Sequence, residues 1–215
     1  PLSFRHFMLG AIAIFVYVGI EVGIPNVLQK WLQNPDLNVL GSGVNAEAVA
    51  GSVAATYWFL MLIGRLTGAS LGAKFSSKSM LTFVSSLGIL LILLAIFLPL
   101  STTVNMPVFK SDISFGLAEV PIGIMLMILC GLCTSVMWGN IFNLAVEGLG
   151  KYTAAASGIF MVMVCGGGVL PLIQGAVADG FGYLASFWVI IVALAYILYY
   201  AQVGSKNVNK DIPVE

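Results

Sequence analysis

Phe7-Met-Leu-Gly-Ala-Ile-Ala-Ile-Phe-Val-Tyr17-Val-Gly19-Ile-Glu21-Val-Gly23-Ile-Pro25-Asn26-Val-Leu28 decides how the rest of the chain is read. Between Phe7 and Leu28 the only charge is Glu21. About 20 apolar residues, at 1.5 Å of helix rise each, cross the roughly 30 Å hydrocarbon core of a bilayer. The stretch is also longer than the roughly 7 to 15 apolar residues of a signal-peptide core. Because the sequence opens Pro1-Leu2-Ser3 without a Met, residue 1 is expected to be an internal cut.

Five further apolar windows follow, at 46–73, 80–100, 117–146, 153–178 and 184–203. The sequence has 215 residues, 60% of them hydrophobic and 8% charged, against roughly 25% charged in a soluble domain, so lipid is the expected solvent for most of the chain. Backbone groups left unpaired in lipid cost several kcal/mol each, so the six spans are expected to be helices. The connections at 32–45 and 101–114 are too polar for hydrocarbon and must face water. Nine basic and nine acidic residues balance, which gives no electrostatic reason to expect nucleic acid.

Orientation follows from the cations. An even number of spans puts both termini on one side, and that side collects Arg5, Lys74, Lys78, Lys151, Lys206 and Lys210, while the opposite loops hold Lys30 and Lys110. Cytoplasmic loops carry the Lys/Arg excess, so both ends are expected to be cytoplasmic. Gly68-Ala-Ser-Leu-Gly72 closes the second span and Gly175-Ala-Val-Ala-Asp179 the fifth, each second in its triplet. This is a short signal for a 3+3 inverted repeat, although small residues recur at any helix interface. The expected fold class is therefore all-α and integral to the membrane: a six-transmembrane-helix bundle.

The polar exceptions carry the functional signal. Glu21 lies deep in the first span, where a charge costs about 2.5 to 3.5 kcal/mol even on the lenient insertion scale. Burial favours the neutral form of a carboxyl, so Glu21 is a candidate to carry a proton. Substrate binding, gating and a structural hydrogen bond are the other readings. Gly19, Gly23 and Pro25 allow a thin first helix, either broken toward its outer half or only kinked at the proline, and Asn26 beside them is a further candidate for the substrate site.

In the fourth span, Trp138, Asn140 and Asn143 cluster, the two amides on one helical face. Carboxamides donate to and accept from hydroxyl groups, and an indole stacks on the apolar face of a sugar. Interhelical hydrogen bonding is the alternative. Tyr57 and Gln174 are weaker candidates of the same kind, and Trp58 fits an interfacial role equally well. Arg65 is too deep in the second span for easy solvation, and a gating or structural pair with Glu147 is expected, against snorkelling to the headgroups.

Cys130, Cys133 and Cys165 lie in apolar surroundings and read as inert packing thiols. Gly166-Gly167-Gly168 lacks the Lys-Ser/Thr of a phosphate loop and suits close helix approach and bending. His6 is the only histidine, so neither a metal site, a cofactor site nor a catalytic constellation is expected, and an enzyme is the least favoured class.

Three strings carry a resemblance: Tyr17-Val-Gly-Ile-Glu21, Gly64-Arg65-Leu-Thr-Gly68, and Asn140-Ile-Phe-Asn-Leu-Ala-Val-Glu147-Gly-Leu-Gly-Lys151-Tyr-Thr. Through them the chain resembles the C-terminal half of a major facilitator superfamily sugar transporter, in the fucose:proton symporter family that includes fucose permease and glucose/galactose transporters. The resemblance implies helices seven to twelve of a twelve-helix fold, with the first, second, fourth and fifth spans lining a cavity. It also implies proton-driven monosaccharide uptake across a bacterial inner membrane, with an N-terminal six-helix half as partner. One departure is Gly72, where the superfamily's loop signature carries an Asp. The alternatives are a facilitator or efflux transporter of a more apolar solute, and a non-transporting membrane scaffold or receptor.

Overall fold

The structure, a computed structural model, describes residues 1–41, 43–110 and 112–209; Lys210 of the cation tally lies outside them. Among the described residues, six helical segments are long and apolar enough to cross a membrane: Arg5–Gln33, Ala46–Gly72, Ser77–Phe97, Ile122–Val146, Gly150–Phe181 and Tyr183–Gly204.

The first span is helix α1 (Arg5–Gln33). It ends where Asn34 precedes Pro35, because the proline ring pushes the preceding residue into extended backbone. Helix α2 (Ala46–Gly72) starts at Asn45, whose side chain accepts from the Ala48 N–H at 3.1 Å. Helix α3 (Ser77–Phe97) starts at Ser76, capping the Ser79 N–H at 3.2 Å.

Between α3 and the fourth span the chain forms a β-hairpin, strand β1 (Thr103–Phe109) antiparallel to β2 (Phe115–Pro121) with Phe109 opposite Phe115. This corrects the expectation that the fourth span begins at Leu117. Residues 117–121 are apolar apart from Glu119 and alternate, with Leu117 and Glu119 exposed and Ala118 and Val120 buried. That is the period of a half-covered strand. The helix begins only after Pro121.

The fourth span is helices α4 (Ile122–Ser135) and α5 (Met137–Val146), divided at Val136. The fifth is α6 (Thr153–Met163) and α7 (Gly166–Phe181), joined through a tight turn in which the Gly167 N–H bonds Val164 O and the Gly168 N–H bonds Cys165 O. The sixth is α8 (Tyr183–Tyr199), continued to Gly204 by a π-helical turn. Of the two readings of the first span the break is absent, and α1 runs on as one helix through Gly19, Gly23 and Pro25. Its glycines serve packing instead. A Cβ at Gly19 would collide with Leu170, and one at Gly23 with Gln174 Oε1, so α1 and α7 lie unusually close. The breaks fall in the fourth and fifth spans, where Gly166 sits against the Phe15 carbonyl.

Among helix pairings, α1 with α7 and α2 with α4 are the most extensive. In span numbers these are first with fifth and second with fourth, which exchange under a 3+3 repeat.

Candidate transport site in the membrane interior

Glu21 is twelve residues from the C-terminal end of α1, far from either loop. Every backbone donor nearby is committed to the helix, so its carboxylate needs a partner from another element. That partner is Arg65 of α2, whose Nη2 donates to Glu21 Oε1 at 3.0 Å. The side chains are 54% and 14% exposed respectively, so the pair stands at the edge of an open face rather than inside the bundle. The Tyr17 hydroxyl, one turn earlier on α1, is buried beside both groups and within electrostatic reach of each, without meeting hydrogen-bond geometry with either. Trp138 packs edge-on against the Tyr17 ring, centroids 6.1 Å apart.

The ion pair corrects the expected Arg65–Glu147 contact. Glu147 lies just beyond the end of α5, exposed, in a cleft that also holds Lys78 and Lys206. Its main-chain carbonyl accepts from His6 Nε2 at 3.0 Å. Arg65 is held a turn and more above the end of α2, and its guanidinium is directed to the Glu21 carboxylate.

A cleft of about 280 Å³ adjoins Arg65, lined by Gly68, Ala69, Gly72, Gly139, Asn140 and Asn143 among others. The glycines matter because a bare backbone opens space between α2 and α5. Asn140 is buried and its Nδ2 donates to Val136 O at 2.7 Å, where the backbone bond from the Asn140 N–H has stretched to 3.4 Å. Its amide thus repairs the break between α4 and α5, leaving Oδ1 as its free acceptor. Asn143 is exposed and donates to Ser77 Oγ at 3.4 Å.

The other expected site residues separate from this cluster. Tyr57 is fully buried, its hydroxyl 3.0 Å from Thr134 Oγ1, and packs α2 on α4 instead of facing the cleft. Gln174 is also fully buried, against Gly23, with neither amide atom hydrogen-bonded. It belongs to the α1–α7 seam and not to an open surface. Asn26 is exposed in a separate polar cleft of about 580 Å³, shared with Gln29, Lys30, Gln33 and Asp179. Sequence reading passed over Tyr17, whose signal was its position one turn before Glu21. Cys130 and Cys133 are buried and unpaired, as expected, while Cys165 is exposed beside the break in the fifth span.

Comparison with solved structures gives the architecture. The chain superposes on a crystal structure of a major facilitator superfamily transporter, FucP, in the outward conformation, with a TM-score of 0.76 and 22% identity over 94% of this chain and 43% of that one. The chain has the fold of about half of a major facilitator transporter. A variant of the Escherichia coli fucose:proton symporter gives the same match, with a TM-score of 0.77 and 22% identity over 96% of this chain and 44% of that one. Curated relatives with more similar sequences are sugar transporters. The glucose/galactose transporter of Brucella abortus is 33% identical over 205 residues, 95% of this chain and 44% of the relative. A putative glucose/galactose transporter of Helicobacter pylori is 31% identical over 210 residues, 95% of this chain and 45% of the relative. The L-fucose-proton symporter of Escherichia coli is 23% identical over 204 residues, 94% of this chain and 41% of the relative. The chain thus spans less than half the length of the relatives it matches. No protein-family model matches it. These relatives are transporters, not enzymes, and a bundle with six membrane-length helices is a multi-pass membrane protein.

Proposed function

We propose that this bundle is the C-terminal half of a secondary active transporter that takes up a monosaccharide of the fucose, glucose or galactose kind together with a proton, by alternating access. The observation that carries the reading is the Glu21–Arg65 pair at 3.0 Å between two membrane helices, at the edge of an open face. A charge-compensated carboxylate there can change partner. Protonation of Glu21 removes its attraction for Arg65, and sugar hydroxyls can then take up donors that the carboxylate had held. Trp138 on the Tyr17 ring and Asn143 in the cleft beside Arg65 supply an apolar ring and an amide, the chemistry a pyranose requires, while Asn140 holds the break between α4 and α5. Asn26 and its neighbours form a polar approach, and Tyr57 and Gln174 act through packing. The missing wall of the cavity is an N-terminal six-helix half, and both ends of the segment face the cytoplasm of a bacterial inner membrane.

The relatives' names support a sugar substrate, and the E. coli relative's name supports proton coupling. The test uses the full-length protein in proteoliposomes with an entrapped pH-sensitive dye. Addition of fucose, glucose or galactose is expected to drive proton entry for at least one of them. Saturable sugar flux without proton movement would reduce the reading to facilitated transport. Sugar binding without flux would make the protein a receptor.

A further inference from the structure

The β1–β2 hairpin has no part in the pair or its cleft, yet it carries the most exposed apolar tip outside the helices: Ile113, Phe115 and Leu117 are 81%, 64% and 70% exposed. Apolar groups held out at a hairpin tip mark a surface that something covers. The hairpin is fixed along α2. The Phe109 N–H donates to Thr56 Oγ1 at 2.9 Å, and Phe59, Phe109 and Phe115 form an aromatic triad with centroids 4.9 to 5.5 Å apart.

The depth of that attachment can be reckoned from the helix. Its 27 residues rise about 40 Å, some 10 Å more than the hydrocarbon core is thick. With the Gly72 end followed by Lys74 and Lys78 in one headgroup layer, the opposite boundary falls within about a turn of residues 53–57. Asn45, Glu47 and Ser52 then stand in water, and half-exposed Trp58 marks the aromatic belt. The tip is level with that belt.

Its backbone is prepared for a poorly hydrated setting: the Lys110 N–H bonds Ser114 O at 2.9 Å and the Ile113 N–H bonds Lys110 O at 3.1 Å. Its charges limit how deep it sits. The Ser114 hydroxyl, then its N–H, bond the Asp112 carboxylate and hold it below the usual carboxylate range, so it stays ionised, and the Lys110 stem folds back over Gly116.

We propose that the hairpin tip is a membrane-interface anchor: Ile113, Phe115 and Leu117 lie in the headgroup layer on the side opposite the termini, with Lys110 and Asp112 kept among the headgroups, and fix α2 in depth. The occupant of the exposed tip is lipid.

The test is spin-label accessibility in the full-length transporter, reconstituted in phosphatidylcholine vesicles on a background free of native cysteines. Labels are placed singly through Phe115→Cys, Leu117→Cys and, at the polar base of the hairpin, Asn105→Cys. The tip labels are expected to collide more often with oxygen, which partitions into lipid, than with a water-soluble nickel chelate, and the Asn105 label to show the reverse ratio. A tip label favouring the nickel chelate would put the hairpin in water and overturn the proposal. A tip label reached by neither reagent would mean that protein covers it, and would overturn it as well. If Phe115→Cys fails to fold, Leu117→Cys gives the same decision, since its side chain packs on little.

Discussion

Two polar groups inside the spans behave differently. Glu21 reaches across to another helix and finds a cation, whereas the Asn140 amide bonds the carbonyl four residues back in its own chain. The difference is chemical. A carboxylate accepts only, and a helix interior offers no free donors, so the charge must be met by tertiary structure. An amide can donate to a stretched backbone carbonyl and be satisfied locally. A charge in a span therefore reports on the fold around it, while an amide can report only on its own turn.

Four substitutions in the full-length protein break or sharpen that contrast. The largest effect is expected from Glu21→Gln. Taking the roughly 2.5 to 3.5 kcal/mol cost of a buried charge as the scale, sugar-driven proton entry should fall about a hundredfold while sugar exchange without net proton movement persists. Unchanged coupling would make the pair a scaffold. Next is Gly23→Leu, which pushes α1 away from Gln174 and α7. It should cost about 1 to 3 kcal/mol, read as a lower melting temperature in detergent, and lower transport with it by displacing Glu21 from Arg65. A melting temperature equal to wild type would mean the seam is looser than its contacts imply.

Asn140→Ala should destabilise by about 1 kcal/mol through loss of the bond to Val136 O, with little change in the sugar concentration for half-maximal uptake. Asn143→Ala should do the opposite. Its melting temperature should stay within the range expected of a surface change, about ±0.5 kcal/mol, while the half-maximal sugar concentration rises about fivefold, the equivalent of one hydrogen bond of about 1 kcal/mol. Affinity that followed Asn140 and not Asn143 would reverse the roles assigned to the two amides.

The spans and the importance of Glu21 and Arg65 were legible because lipid punishes charge, and exceptions to an apolar pattern are few. Their pairing was not legible. Forty-four positions separate them, and the nearest acid by side of the membrane was Glu147. The hairpin was hidden for a related reason: a mostly apolar run such as 115–121, interrupted only by Glu119, is compatible with a covered strand or a buried helix, and only the cover distinguishes them. Gly19 and Gly23 misled in a third way. A glycine permits a bend and equally permits close approach, and it was Leu170 and Gln174 opposite them that selected approach.

The sequence by itself determined a six-span membrane bundle, because about 20 apolar residues in lipid have helix as their satisfied form. It also determined which residues would be costly there. The tertiary structure decided what each costly residue does: Arg65 with Glu21, Asn140 with its own helix, Tyr57 with Thr134, Gln174 in a seam. Polar groups in a low-dielectric interior gain by pairing with whatever the fold brings within about 3 Å, and no local pattern states which group that will be.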